Sequence, residues 1–274
     1  MQIFVINLGR RPDRLMAMSA QLNALGLPFR RIEAVDAQTA DDGEVNARFT
    51  DNGPIGTLPK GDKCCFLSHI QAWRTFLAGE EPYGVVLEDD IMLDRAAQKL
   101  LGSADWIPPG IRLLKVEHYG PQGQHVLLGE PLAIGEGRTA SRIYSKYTGA
   151  GAYIIRRDAA QLLLDHREKW SVSVDHLLFN ANVSPLTDRL EPHQLLPVIA
   201  RQSADVGGVT DIGPWRATHR KLTPAYIRRE LVRAFYDVRL LPQQFGRVLR
   251  HEVTFVPIRS DGMSPVVLAP GTDG

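Results

Sequence analysis

Within its first 36 residues the chain runs from a short apolar stretch through an amphipathic helical stretch into a second apolar stretch, and this order restricts the fold more than any other feature. Ile3-Phe4-Val5-Ile6 is continuous and is closed by Asn7-Leu8-Gly9, the pattern of a buried strand. Pro12 suits the first turn of a helix, Leu15, Met18, Leu22 and Leu25 recur at helical spacing, and Gly26 suits its C-terminal cap. Residues 29–35 read as a second strand ending at Asp36. Residues 40–61, rich in Asp, Asn, Gly, Thr and Pro, predict a loop excursion. Phe66, Ile70, Trp73 and Leu77 then share a helix face, and Gly79-Glu80-Glu81-Pro82 ends that helix before a strand at 83–87. Further strands are expected at 111–116, 152–155 and 195–199, with helices near 158–170 and 174–180. This alternation predicts an α/β fold with a mainly parallel central sheet.

Composition narrows the function classes. The 274 residues, 44% hydrophobic and 23% charged, suffice for a large core and exclude a disordered chain. A formal charge of +1 argues against a surface tuned for nucleic acid. Two adjacent cysteines, Cys64 and Cys65, give no disulfide framework and no Cys-rich zinc site, which fits a reducing cytoplasm. The opening apolar run is too short for a secretory leader and lacks a basic flank, and no run of about 18 apolar residues is present to span a bilayer.

Charge is nevertheless segregated. Residues 215–251 carry nine Lys or Arg against Glu230 and Asp237, a net of +7. Residues 1–214 are therefore expected to form one catalytic domain and 215–274 a basic, partly helical extension. Within 225–241, Tyr226, Ile227, Leu231, Val232, Phe235 and Val238 can form an apolar stripe beside Arg228, Arg229, Arg233 and Arg239. That is the pattern of an interfacial helix on an anionic membrane, and equally of a helix packed on a core.

The sharpest chemical signal is Val85-Val86-Leu87-Glu88-Asp89-Asp90, three carboxylates directly after a buried strand. Ligands of open α/β sheets bind beyond the carboxyl ends of strands. If the backbone stays extended, Glu88 and Asp90 share a face and Asp89 points away. Two hard oxygen ligands on one face suit Mn²⁺ or Mg²⁺ bridging a diphosphate, and a solvated acidic turn is the bland alternative. Arg11 and Arg14 follow the first strand, where they could meet a diphosphate or ion-pair on a solvated face. Asp36 could accept hydrogen bonds from ribose hydroxyls or simply form a turn. Ser68 and His69 are adjacent on a helix and diverge, which excludes a serine hydrolase pair. His69 then either packs in the core or lines the donor site. Cys64 and Cys65 are read as packing residues. The small residues of Thr148-Gly149-Ala150-Gly151 either admit a sugar to the backbone or make a turn.

Taken in order, Ile6-Asn7-Leu8 with Arg11 to Arg14, Ala34-Val35-Asp36, Gly61 with Cys65-Phe66-Leu67-Ser68-His69, Leu87 to Asp90, and Thr148 to Tyr153 resemble glycosyltransferase family 25. That family includes bacterial lipopolysaccharide and lipooligosaccharide galactosyltransferases and procollagen galactosyltransferases. The resemblance covers roughly residues 3–202, with Val174-Asp175 and residues 197–202 as weaker matches. It implies a GT-A type, Rossmann-like nucleotide-sugar-binding fold, a UDP-sugar donor, a divalent metal at a DXD-like Glu88-Asp89-Asp90, and inversion at the anomeric carbon. Carried onto this sequence, it assigns donor contacts to Asn7, Leu8, Arg11, Arg14, Asp36, Ser68, His69, Asp89, Gly149 and Gln202, and the metal to Glu88 and Asp90. One departure stands out: the family pattern around Gly61 has a second glycine where this chain has Cys64, so the loop must differ if that glycine needs a positive φ.

The expected partners are a UDP-sugar, galactose favoured, and a glycan or lipid-linked glycan acceptor in surface polysaccharide synthesis, at the inner face of the cytoplasmic membrane. Inverting transfer needs a carboxylate base that is not a metal ligand, and Asp175, at the start of an apolar helical pattern, qualifies in type. A helix N-cap is its competing role, and Asp188, Glu191 and Glu117 are rivals. A nucleotidyltransferase would carry a Gly-rich, Lys-containing phosphate loop after strand one, which Asn7-Leu8-Gly9-Arg10-Arg11-Pro12-Asp13-Arg14 does not provide. A relative that kept the fold and lost catalysis is the third reading, and the intact carboxylate triplet weighs against it.

Overall fold

A computed structural model describes residues 1–166, 168–203 and 224–266, the side chains of 224–229 excepted. In it β1 (Gln2–Asn7), α1 (Pro12–Ala24) and β2 (Phe29–Glu33) form the expected unit, with β1 parallel to β2 and Gly26 at φ +66° just past the helix. The residues after β2 hold a helix, α2 (Asp42–Ala47), where the sequence reading expected only loop. Its N-cap is Asp41, whose side chain accepts from the Glu44 amide, a capping signal legible in Asp41-Asp42-Gly43-Glu44. Then come α3 (Lys60–Leu77) and β3 (Tyr83–Glu88), which lies parallel on the other side of β1.

Beyond β3 the chain is more strand-rich than the helical periodicity suggested. β4 (Ile91–Leu93), α4 (Ala97–Gly102), β5 (Leu113–Lys115) and β6 (Glu117–His118) lead into β7 (Gln124–Gly129), β8 (Leu132–Gly135) and β9 (Arg138–Arg142). β10 (Ala152–Arg156), α5 (Arg157–Leu164), α6 (Val174–Phe179), α7 (Thr187–Leu190), β11 (His193–Leu196) and β12 (Ala200–Gln202) follow. The described chain ends with α8 (Pro224–Val238), α9 (Leu241–Leu249) and β13 (Val253–Ile258).

The main sheet has eight strands in the order β2-β1-β3-β10-β5-β11-β9-β8. Among the described residues three of its seven pairings are parallel and four antiparallel, so the sheet is parallel in its first half and mixed as a whole, not mainly parallel. Two of the four come from β10, which enters between β3 and β5 running against both, and two from β9, which runs against β11 and β8. No apolar periodicity encodes these directions.

Strand alternation sorts the core into two layers. Ile3 and Val5 of β1 pack with Met18 and Leu22 of α1 and Leu100 and Leu101 of α4 on one face. Phe4 and Ile6 pack with Phe66, Trp73 and Phe76 of α3, and with α5 and α6, on the other. Both faces of the central strands are thus covered, as their continuous apolar sequences require. No described helix is long and apolar enough to cross a membrane.

Candidate active site

The carboxyl ends of β1, β2, β3 and β5 point to one edge of the sheet, and the reversed β10 brings its N-terminal end there too, with Ala152 beside Leu87. This is why Gly149 to Gly151 reach the acidic triplet: the Gly151 carbonyl accepts from the Glu88 amide at 2.7 Å. At this edge lies a cleft in two connected lobes. The larger, about 240 Å³, is lined by Leu8, Arg10, Arg14, Asp36, Ser68 and all three of Glu88, Asp89 and Asp90. The smaller, about 110 Å³, is lined by Glu117, Gly149, Gly151, Ser173 and Asp175. Cys65, Glu88, Tyr119 and Gln202 border both.

The three carboxylates have three surroundings. β3 ends at Glu88 and the chain turns at Asp89 and Asp90. Asp89 is buried and accepts from Asn7 Nδ2 at 2.7 Å and Arg14 Nη1 at 3.4 Å, so it is held on the protein side. Burial nonetheless raises its pKa against those two donors. Glu88 faces α3, with its Oε1 3.3 Å from His69 Nε2 and 3.6 Å from Cys65 Sγ. Asp90 accepts from Gln202 Nε2 at 2.9 Å through Oδ2, while its buried Oδ1 has no hydrogen-bond partner among the described residues. Burial first, and the neighbouring Glu88 charge second, push Asp90 up to about 7. Two neighbouring carboxylates in a cleft, one with a buried oxygen that no described residue satisfies, fit a divalent cation by donor chemistry.

Several expected residues come together here and several do not. Gln202 reaches Asp90 because β12 pairs antiparallel with β4, setting Gln202 beside Ile91. Asn7 lies under the site, donating to Asp89 and to the Arg11 carbonyl and accepting from Arg31, so it positions Asp89 and does not border the cleft. Arg11 is likewise absent from the lining: its guanidinium pairs with Asp13, since the turn closed by its amide on Leu8 carries it away. Arg10 takes the place expected of Arg11, donating from Nε to Asp36 at 2.9 Å. Asp36 borders the larger lobe, and its other oxygen accepts the Gln38 amide, which is the turn weighed for it.

On α3, Ser68 donates to the Cys64 carbonyl and accepts from the Val35 amide, which spends its hydroxyl on tying α3 to the chain after β2. His69 is fully buried, with Nδ1 2.8 Å from the Tyr153 hydroxyl, which also accepts from Trp73 Nε1. It stands behind Glu88 and not in the lining. Cys64, buried, and Cys65, half-buried, both border the cleft. Burial, then Glu88 and Asp175, pushes the Cys65 thiol well up. Position 64 lies inside α3, so cysteine there needs no unusual φ and instead presents a sulfur at the cleft.

Asp175 is the second residue of α6 and not its N-cap; that position is Ser173, whose hydroxyl donates to Asp175. Asp175 also accepts from the Gly149 amide at 3.3 Å. Burial raises its pKa, but His176, Ser173 and the two backbone amides of Gly149 and His176 outweigh it, and the net is below the ordinary value. Of the rivals, Asp188 and Glu191 pair with Arg142 and border neither lobe, whereas Glu117 borders the smaller lobe. Glu117 is buried and held by Lys115 Nζ at 2.6 Å and the Gly151 amide at 2.8 Å. Gly149 sits at φ +88°, and a Cβ there would stand 2.5 Å from Tyr119, so its glycine is required by a left-handed backbone and by the close packing of Tyr119. Lys115, which anchors Gly149 through its carbonyl at 2.6 Å, escaped sequence reading because a lysine inside an apolar strand carries no local signal of its partner.

A family model described as glycosyltransferase family 25 (LPS biosynthesis protein) matches residues 1–178. The chain is 24% identical over 186 residues to the lipooligosaccharide biosynthesis protein lic2B of Haemophilus influenzae, covering 65% of this chain and 69% of that one. It is 25% identical over 192 residues to the lacto-N-neotetraose biosynthesis glycosyltransferase LgtE of Neisseria meningitidis serogroup B, covering 65% and 66%. A shorter match, 32% over 107 residues, is to a rat protein named probable inactive glycosyltransferase 25 family member 3, covering 36% of this chain and 19% of that one.

Proposed function

The chain belongs to glycosyltransferase family 25, and from that premise we propose that it transfers a sugar, galactose favoured, from a UDP-sugar to a hydroxyl of a glycan or lipid-linked glycan. The product belongs to lipopolysaccharide, lipooligosaccharide or another surface polysaccharide, a reading supported by the lipooligosaccharide and lacto-N-neotetraose biosynthesis proteins among its bacterial relatives. The observation that carries this reading is the two-lobed cleft, with the acidic triplet and Arg10 and Arg14 in one lobe and Asp175 in the other. The parallel trio β2-β1-β3 ending in that triplet supports a GT-A type assignment. Residues 1–214 carry the transfer and 215–274 form the basic extension.

Glu88 and Asp90 are the groups suited to hold Mn²⁺ or Mg²⁺, which when bound offsets the charge of the departing diphosphate. Arg14, beside Asp89 and Asp90, and Arg10, beside Asp36, line the donor lobe with cationic donors. Asp175 takes the proton of the acceptor hydroxyl as its oxygen bonds the anomeric carbon and the bond to UDP breaks, giving inversion. Its lowered pKa keeps it ionised at neutral pH, and the Ser173 hydroxyl and Gly149 amide fix its direction. Gly149, packed so closely on Tyr119 that a side chain would not fit, contributes backbone to the wall of the acceptor lobe.

The extension adds contact with the inner face of an anionic cytoplasmic membrane. Leu231, Phe235 and Val238 of α8 and Leu241, Phe245 and Leu249 of α9 are all more than half exposed. Such a row beside exposed Arg233, Arg239 and Arg250 supports an interfacial role. Arg216, Arg220 and Lys221, counted with this basic segment, lie outside the described residues, as do the side chains of Tyr226, Ile227, Arg228 and Arg229.

A donor screen tests the transfer reading. UDP-galactose, UDP-glucose and UDP-N-acetylglucosamine are offered with Mn²⁺ or EDTA, with and without a glycan acceptor, and UDP release is read. Acceptor-dependent UDP release from UDP-galactose that EDTA abolishes is the expected result. Release of pyrophosphate from a nucleoside triphosphate and a sugar phosphate would turn the assignment to a nucleotidyltransferase. Donor binding with no turnover on any acceptor would place the chain with the inactive relatives.

A further inference from the structure

The triplet does not exhaust the ligand chemistry of this edge. Helix α3 presents Cys65 and His69 four residues apart, on the same helical face, and β3 ends beside them at Glu88. Among the described residues Cys65 Sγ, His69 Nε2 and a Glu88 oxygen form a cluster whose ligand atoms all lie within 4.8 Å of one another. We propose that Cys65, His69 and Glu88 form a binding site for a borderline-soft divalent cation of the zinc class, separate in chemistry from the all-oxygen pair of Glu88 and Asp90.

Two of the three separations are those of a tetrahedral site, and the third lies within 4.8 Å. Bonds of about 2.3 Å to sulfur and 2.0–2.1 Å to nitrogen and oxygen, opened to the tetrahedral angle, set the ligand atoms roughly 3.4 Å (N to O) and 3.6 Å (S to O) apart. The observed separations are 3.3 Å from His69 Nε2 to Glu88 Oε1 and 3.6 Å from Cys65 Sγ to the same oxygen. An ion can enter with small side-chain shifts and no change of backbone.

The surroundings match as well. A metal-bound imidazole commonly gives its other ring N–H to an oxygen, and His69 Nδ1 stands 2.8 Å from the Tyr153 hydroxyl. That hydroxyl is itself fixed by Trp73 Nε1 at 2.8 Å, so the ring is aimed before any ion arrives. In the ion-free chain the opposite tautomer donates from Nε2 to Glu88 and the Cys65 thiol donates to the same oxygen; an ion replaces both hydrogen bonds with coordination bonds and releases the thiol proton to solvent. Cys65 and Glu88 border both lobes of the cleft, which gives an entry path and leaves the fourth position to water. One thiolate and one carboxylate neutralise a dication, and a sulfur–nitrogen–oxygen donor set selects Zn²⁺, Co²⁺ or Cd²⁺ over Mg²⁺.

Because Glu88 serves both sites, an ion here draws on a carboxylate the transfer needs, and excess zinc inhibits. That consequence rests on the transferase reading; binding does not, and the experiment reads binding alone. Metal-free protein is titrated with Co²⁺, recording the near-ultraviolet thiolate-to-cobalt charge-transfer band. One equivalent should generate the band, Zn²⁺ should erase it, and Mg²⁺ should not. Cys65→Ser should lose the band, Cys64→Ser should keep it, and Tyr153→Phe should weaken binding by about 10–100-fold, the usual cost of losing an outer partner of a ligand. In case Cys65→Ser does not fold, alkylation of the wild-type chain gives a second reading, with Zn²⁺ protecting Cys65 and leaving Cys64 no slower. A cobalt spectrum without the thiolate band, or equal alkylation of Cys65 with and without Zn²⁺, overturns the site.

Discussion

Asp90 is costly to the fold where it stands. Its side chain is 17% exposed, Oδ1 has no hydrogen-bond partner among the described residues, and burial with the neighbouring Glu88 charge pushes its pKa up to about 7 against an ordinary 3.8. A carboxyl whose folded pKa is raised binds its proton more tightly in the folded chain, so its contribution to stability is present at low pH and is lost as pH rises through the window from 3.8 to about 7. Metal-free Asp90→Asn should therefore melt at or above wild type at pH 8, with the difference vanishing toward pH 4, while transfer falls to about one hundredth or less. A lower melting temperature for Asp90→Asn at pH 8 would make the residue structural. Asp175 calls for a different substitution logic, because Asn keeps one acceptor for the Gly149 amide and offers an NH2 to the Ser173 hydroxyl, which can turn to accept it, but cannot take a proton. Asp175→Asn should lose at least about a hundredfold in turnover with donor binding intact. Near-normal turnover would send the search to Glu117, the one rival that borders the cleft. At this scale the sequence showed the acidic triplet through its place after an apolar strand. It could not show that Gln202, 112 residues from Asp90, supplies its hydrogen bond. Nor could it show that the turn at Leu8 to Arg11 exchanges Arg11 for Arg10. Both depend on directions that local composition does not fix.

Among elements, the βαβ unit and α3 were legible because apolar period and Gly or Pro punctuation agree there. β10 was legible as a strand and not as an antiparallel one, since its direction is decided by what it pairs with. That reversal gives the Gly149 to Gly151 stretch its place, and a buried ion pair holds it there. Lys115, fully buried, donates to Glu117 and to the Gly149 carbonyl, with its ammonium 5.0 Å from the Tyr147 ring centroid and 4.8 Å from that of Phe179. Removing one member of such a pair strands the other charge, so Lys115→Met should cost about 3–5 kcal/mol in chemical denaturation. Adding Glu117→Gln, which keeps an acceptor for the Gly151 amide, should recover most of that loss. If the double variant is no more stable than the single one, the lysine acts by filling space and not by pairing.

The whole molecule is closed by its last described strand. β13 pairs along its full length with β7, and further on Ser264 and Val266 exchange backbone hydrogen bonds with Arg95 and Leu93. α8 is held by Arg239, which donates to the Asn182 carbonyl, and α9 by Gln244, which donates to that of Tyr144. Cutting the chain near Arg220 to ask whether the basic segment contacts lipid would therefore also strip β7 of its partner and uncover buried Val126, Leu127 and Leu128. Such a truncation should melt lower than the full chain, and its loss from a lipid pellet would say nothing about membranes. Point substitutions on the exposed row separate the two effects. Phe235 and Phe245 are 62% and 64% exposed, so Phe235→Ser with Phe245→Ser should leave stability within about 0.5 kcal/mol per site. If the row meets lipid, sedimentation of the double variant with anionic vesicles at low salt should fall several-fold, and wild-type binding should weaken as salt rises, since arginine attraction to the surface is screened. Neutral vesicles should recover little of either protein. Equal pelleting of wild type and double variant would remove the row from membrane binding, and a wild-type dimer that the two serines dissolve would assign it to self-association.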